Sequence, residues 1–234
     1  MMDRQKNCQP FQGFSRETSD FLWELTFHNE RSWFLEHKEE YLRVLHEPFH
    51  ALAEDTACRM RQEFPESDFA LHISRIYRDA RRLFGRGPYK DHLWFTLFDG
   101  GDHRNEGPCF WFELSAATFG YGLGLFEVTP TEMEVFRSSI DSNPARFERL
   151  AEDAAKMRGF RIIGPEYKRQ KKDVGPLLNP WYNRKNLGIS FDDNCEGVLF
   201  TPELYDEILK GFRFLVPYYE FFLSLLADAE PEKM

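Results

Sequence analysis

The stretch RIYRDARRLFGRGPYK, residues 75–90, sets six basic side chains against a single acid and threads them with aromatic rings. Arginine forks make bidentate, charge-assisted bonds to phosphate or carboxylate, and neighbouring rings can flank what they hold. In an extended segment Arg75, Tyr77 and Asp79 share one side, and Arg78 points to the other. Past Asp79 the chain must turn: Gly85, Gly87 and Pro88 indicate a loop that carries Arg81, Arg82, Arg86 and Lys90. Like charges this close repel unless something negative answers them. The stretch therefore reads as one wall of an anion site, braced from within by Asp79. The plainer alternative is that Arg75 or Arg78 pairs with Asp79 or a distant carboxylate and fixes the loop to the core.

A second basic run, KMRGFRIIGPEYKRQKK at 156–172, carries seven basic residues and one acid, with Arg184-Lys185 soon after. If these segments converge, Arg75, Arg78, Arg81, Tyr89, Lys90, Lys168, Arg184 and Lys185 form a positive pocket with aromatic walls from Tyr77, Tyr89 and Trp181. Taken alone, KRQKK reads as a solvated loop. Asp79 and Glu113 are the candidate acid–base groups if the site catalyses anything. Glu113 lies in the apolar CFWFELS, where partial burial would raise its pKa. It equally reads as an ordinary outward-facing strand residue or as the partner of one of the arginines, and the pairing is the favoured reading.

The standard catalytic templates are missing or spoiled. HEPFH, residues 46–50, matches the zinc-protease spacing, which needs two histidines one turn apart on a continuous helix. Pro48 stands between them and is expected to disrupt that turn, so no metal site is assigned. GYGLG lacks dinucleotide-binding spacing, and neither a Walker A motif nor a G-x-S-x-G elbow occurs. Gly120, Gly122 and Gly124 alternate, leaving a bare strip in a strand that another backbone, a ligand or, as the favoured reading, a helix can approach.

The 234 residues carry 30 basic and 39 acidic side chains, a formal −9 that argues against general nucleic-acid coating but leaves room for one basic groove. The cysteines Cys8, Cys58, Cys109 and Cys195 show no CxxC pairing, and a chain this long needs no disulfide staples, so they read as reduced thiols. The N-terminus has no apolar run resembling a signal peptide. FRFLVPYYEFFLSLLADA is too polar to span a bilayer. A cytoplasmic protein without membrane association is expected; its cofactors are left open.

Helices come first. Ser15 can cap one through about Asn29 that buries Phe21, Leu22 and Leu25, and a second helical region follows over about 30–63, bent or split at Pro48. FALHISRIY, HLWFTLF, CFWFELS and TFGYGLGLF then read as antiparallel strands, with a turn in DGGDHRNEGP. Thr129-Pro130 with Glu132 forms a capping box, Asn143-Pro144 starts a further helix, and Thr201-Pro202 leads into C-terminal helices broken near Pro217. The fold class is α+β: an antiparallel sheet in mid-chain flanked by N- and C-terminal helices. A tail over 1–13 precedes a single domain over 14–228.

RIYRDARR followed by GPYK resembles the signature of the family known as domain of unknown function 2461. HNERSWF with HKEEY, GYGLGLFEVTPTEMEVFR, NPARF and NRKNL extend the resemblance over about residues 14–225. The family tends to have an aromatic at Arg82 and an Asp-Lys pair at Gly85-Arg86; here Arg86 keeps the positive charge. The resemblance implies one intact domain and carries no activity. On the residues, the leading reading is a binding or enzymatic site for an anionic small molecule bearing phosphate or carboxylate. The alternatives are a non-catalytic module docking a basic loop on an acidic protein, and a single-stranded nucleic-acid binder, which the net charge disfavours.

Overall fold

The computed structural model describes residues 10–83, 85–99 and 107–229. Most of the expected tail and of the DGGDHRNEGP turn, with Cys8, lies outside them. From Pro10 on the chain is packed rather than loose. Phe11 donates its N–H to Asp55 (2.8 Å) and sets its ring edge-on to Phe14, while Gly13 takes a positive φ against the backbone of Thr201.

Ser15 caps α1 (Arg16–Phe27), which buries Phe21, Leu22 and Leu25 as their spacing requires. Then come α2 (Arg31–Glu36), α3 (Lys38–Tyr41), a π-helical turn (Leu42–His46) and α4 (Glu47–Glu63). The helical run is not split at Pro48 but passes into α4 through the π turn. Proline lacks the N–H that would bond the carbonyl of Val44. The π turn absorbs the mismatch: Glu47 N–H reaches back five residues to the carbonyl of Leu42. The orphaned Val44 carbonyl accepts instead from the buried hydroxyl of Thr18 at 2.6 Å. One side chain from α1 thus completes the helix that Pro48 would have broken.

The strands β1 (Phe69–Ile73), β2 (His92–Asp99), β3 (Cys109–Ser115) and β4 (Thr118–Leu125) fall where alternation placed them. Two more, β5 (Phe160–Ile163) and β6 (Leu187–Asn194), complete a six-stranded antiparallel sheet in the order β1-β2-β3-β4-β6-β5. β1 is shorter than FALHISRIY suggested and ends at Ile73. In the glycine strip of β4, Gly122 faces another backbone and Gly124 an aromatic ring, not the helix expected. A Cβ on Gly122 would lie 2.0 Å from the carbonyl oxygen of Ile189 in β6, and one on Gly124 would strike the Phe126 ring.

Between β4 and β6 lie α5 (Pro130–Ser142), α6 (Ala145–Lys156) and the short α7 (Asn179–Tyr182). Thr129 and Glu132 form the expected capping box on α5. The C-terminal α8 (Glu203–Ala229) runs unbroken through Pro217, whose ring faces solvent while Leu215, Val216, Tyr218 and Tyr219 beside it are buried. Helices and an antiparallel sheet segregated along the chain make an α+β fold. No helix among the described residues is long and apolar enough to cross a membrane.

Contacts gather the chain into two compact units. The first takes the described residues within Met1–Leu97, Phe112–Gly120 and Asp193–Lys210, and its core packs Phe14, Phe49, Phe95 and Phe112 together. The second takes those within Phe98–Trp111, Tyr121–Asp192 and Gly211–Met234, with Phe147, Trp181, Phe221 and Tyr218 at its centre.

Candidate functional site

The candidate residues fall in two groups, one in each unit. In the first, the chain leaving β1 folds back before entering β2. Tyr77 and Tyr89 face each other as an antiparallel bridge, flanked by Arg78 N–H to the Pro88 carbonyl (2.8 Å) and Lys90 N–H to the Ile76 carbonyl (2.7 Å). Residues 76–78 and 88–90 are therefore pinned together as a neck. Asn29, at the end of α1, clamps it: its side chain donates to the Tyr89 carbonyl (3.0 Å) and accepts the Tyr89 N–H (2.9 Å). Gly87 is required there because any Cβ would lie 2.2 Å from the Asn29 oxygen.

The basic side chains of this neck divide sharply by what they touch. Arg78 is a strut: Nε donates to the Tyr89 carbonyl (2.7 Å) and Nη2 to Asp91 (3.1 Å). Arg81 forks onto both oxygens of Asp79 at 3.1 and 2.9 Å, while its N–H caps onto the same carboxylate. Asp79 is thus bonded to its near neighbour Arg81, whereas Arg78 pairs with Asp91. Tyr89 does not wall a site: its side chain is buried and stacks on Phe34 at 4.1 Å. Tyr77 is 53% exposed. Arg75 is exposed and has no hydrogen bond or ion pair among the described residues.

Lys90 is the unusual member. Its ammonium stands 5.8 Å over the Trp94 ring, half-buried, and it too has no carboxylate among the described residues. Burial, and then the charges of Arg75 and Arg78, hold it below the ordinary lysine range. Glu113, the other acid–base candidate, is exposed on β3 with no ion-pair partner among the described residues. Neither the partial burial nor the arginine partner expected for it is found.

In the second unit the basic residues are mostly framework. Arg184 donates to the carbonyls of Pro180 (2.7 Å) and Gly164 and to Glu166 (3.0 Å). Lys171 pairs with Glu134, and Lys172 with Asp141 at 2.6 Å. Lys168 is solvated, and Lys185 lies 5.8 Å over the Tyr167 ring. Trp181, expected as an aromatic wall, is core instead, edge-on to Phe147 and stacked on Tyr218.

Sequence reading passed over Arg137, the hub of this group. Its side chain is 2% exposed and donates to Glu134 (2.9 Å) and to the carbonyls of Tyr182 (3.1 Å) and Arg184 (2.7 Å). Nothing local in GYGLGLFEVTPTEMEVFR marks it, since a lone arginine on an amphipathic helix ordinarily faces water. Asn29 left a faint signal as a polar residue closing α1.

Fold and site together define an α+β protein with a cation-bearing neck rooted beside an edge strand. The chain belongs to the family described as conserved hypothetical protein, DUF2461, whose model matches residues 17–221. No curated protein matched the chain.

Proposed function

We propose that the neck formed by residues 75–78 and 88–90 binds an anionic small molecule bearing a phosphate or carboxylate, with Lys90 and Arg75 as the contacting cations and Arg78 as their support. The observation that carries this is Lys90: a half-buried ammonium beside two guanidinium groups, without a carboxylate among the described residues, in a chain with nine excess acids. Gathering like charges costs stability, and an anion between them removes that cost. Exposed Tyr77 and the Trp94 ring offer apolar faces beside the charge. The reading is one of binding. Asp79 is engaged by Arg81 and Glu113 is solvated, so no acid–base pair is assigned.

The test is thermal stability of wild type, Lys90→Met and Arg75→Met against phosphate, nucleotides, sugar phosphates and dicarboxylates. A true ligand stabilises by about 2.7 kcal/mol at a hundredfold excess over Kd. That shift is expected in wild type and lost in both variants; no shift with any member of the panel defeats the reading. One observation favours docking on an acidic protein instead: Arg81 is 88% exposed at the tip of the neck. A protein partner captured through Arg81, with no small-molecule shift, would establish that alternative.

A further inference from the structure

In the second unit α6 and the C-terminal half of α8 lie side by side and run in opposite directions. Arg146 donates to the Ser224 hydroxyl (2.8 Å) and stands 5.2 Å over the Phe221 ring, and the Tyr218 hydroxyl donates to the Leu150 carbonyl (2.6 Å). An open groove of about 850 Å³ follows the two helices from Arg146 to Met157, about 16 Å of helix. Leu150 and Met157, two turns apart beside the buried Phe147 and Ala151, form one apolar wall. Phe214, Pro217 and Phe221 form the other, and Pro217 has no N–H to add a donor there. The rim on α6 is basic. Arg149 is exposed and has no hydrogen bond or ion pair among the described residues, and the Arg146 side chain pairs with no carboxylate among them. Like charges one turn apart on a helix cost stability when nothing negative answers them. Two acids share the lining: Asp153, 3.7 Å from Lys156, and Glu220 on the opposite wall.

From this geometry we infer that the groove docks an amphipathic helix of a partner protein, with its apolar stripe on the floor and its Asp or Glu side chains on Arg146 and Arg149. A trough between two antiparallel helices accepts the ridges of a third, and about three turns of helix fill its length. A small ligand needs walls that close around most of its surface, and this groove stays open along one side. Charge complementarity sets the partner's sign: the two arginines have donors to spare, and Arg146 is already held in place by Ser224 and the Phe221 ring. The inference rests on none of the residues of the neck and is independent of the anion site there.

The test selects binders to the full-length protein from a displayed library of helix-forming peptides about 16 residues long, enough for the three turns. Enriched peptides are then measured by fluorescence anisotropy against wild type, Arg146→Glu, Arg149→Glu and a Lys38→Glu control. Both arginines are exposed, so the reversals should leave Tm unchanged. The expected binders carry apolar residues at i, i+3 or i+4 and i+7 with acids on the flank. Their affinity should fall about tenfold or more in each arginine variant, stay unchanged in the control, and return in Arg149→Glu when the facing peptide acid becomes lysine. Failure to enrich any such peptide overturns the inference, as do enriched peptides that bind both arginine variants like wild type. Dodecanoate is the second probe: if it binds through Arg146 and Arg149 while no peptide does, the groove belongs to an anionic amphiphile and the helix is overturned.

Discussion

Thr18→Val tests the account of how the helix passes through Pro48. Thr18 is 1% exposed, and its hydroxyl donates to the Val44 carbonyl at 2.6 Å and accepts the Ser15 N–H at 3.2 Å. Valine keeps the shape and removes both bonds. A buried carbonyl left without a donor costs about 1–3 kcal/mol, and the lost cap adds about 0.5–1 kcal/mol. Burying a methyl in place of the hydroxyl returns up to about 0.8 kcal/mol. The net expectation is a loss of about 0.7–4 kcal/mol, read by urea unfolding, or about 1.5–16 °C in Tm for a chain of this size. The decisive arm is Pro48→Ala, which restores the N–H that would bond Val44. Alone it should be close to neutral, because Thr18 already satisfies that carbonyl. Combined with Thr18→Val it should recover about 1 kcal/mol, a coupling well outside the 0.3–0.5 kcal/mol within which independent sites add. Strict additivity, or an unchanged Tm for Thr18→Val, would refute the assignment of Thr18 as the replacement donor.

Lys90→Met should leave the ligand-free protein within about 0.5–1 kcal/mol of wild type, because relief from Arg75 and Arg78 and the lost cation–π contact with Trp94 nearly cancel. Arg78→Ala should cost about 1.5–3 kcal/mol, since it holds the Tyr89 carbonyl and Asp91; denaturant midpoints separate the two. Arg137→Met should cost about 2–4 kcal/mol by stranding the carbonyls of Tyr182 and Arg184, measured the same way. Gly122→Ala should destabilise by about 3 kcal/mol or more, because its Cβ cannot coexist with the Ile189 oxygen, and should show as lost soluble expression or lowered Tm. Stability should decline as pH falls from about 7 toward 5. Folded His46 takes up its proton less readily than the unfolded chain, so its contribution is present above 6.5 and lost as pH drops through its folded value. His46→Gln should flatten that slope.

The elements legible in the sequence were those whose signals are local. Ser15 and Thr129 announce helix starts through side chains three residues from what they bond, and period-two alternation marks β2 and β3 without help from elsewhere. What escaped was set by partners distant in sequence. β5 is four residues long and only half-buried, so its pairing with β6, Phe160 opposite Phe191, leaves almost no pattern in FRII. Pro48 and Pro217 read as breaks because a proline's local penalty is certain. Its compensation, a hydroxyl 26 residues away or apolar faces buried on both sides, is not visible nearby. Tyr89 and Trp181 looked like walls for the same reason: an aromatic beside basic residues says nothing about which way the ring turns.

For the arginine-rich stretch, composition overstated the site and bonding trims it. Six basic residues suggested a pocket wall, yet a guanidinium that already forks onto a carboxylate has few donors left for a ligand. Arg81 is engaged in this way, Arg184 at the carbonyls of Pro180 and Gly164 and at Glu166, and Arg78 at the Tyr89 carbonyl and Asp91, although all three were candidates on charge alone. Arg75 and Lys90 differ because no acid among the described residues answers them, and Lys90 is held there by a buried stem and a ring rather than by attraction to its neighbours. An ammonium placed against its own electrostatic preference is stable only because the surrounding fold fixes it. The neck is so fixed: by the Tyr77–Tyr89 bridge, by Asn29 on the Tyr89 backbone, and by Gly87 allowing that approach. The struts therefore hold the shape, and the two unanswered cations are where an anion would be felt.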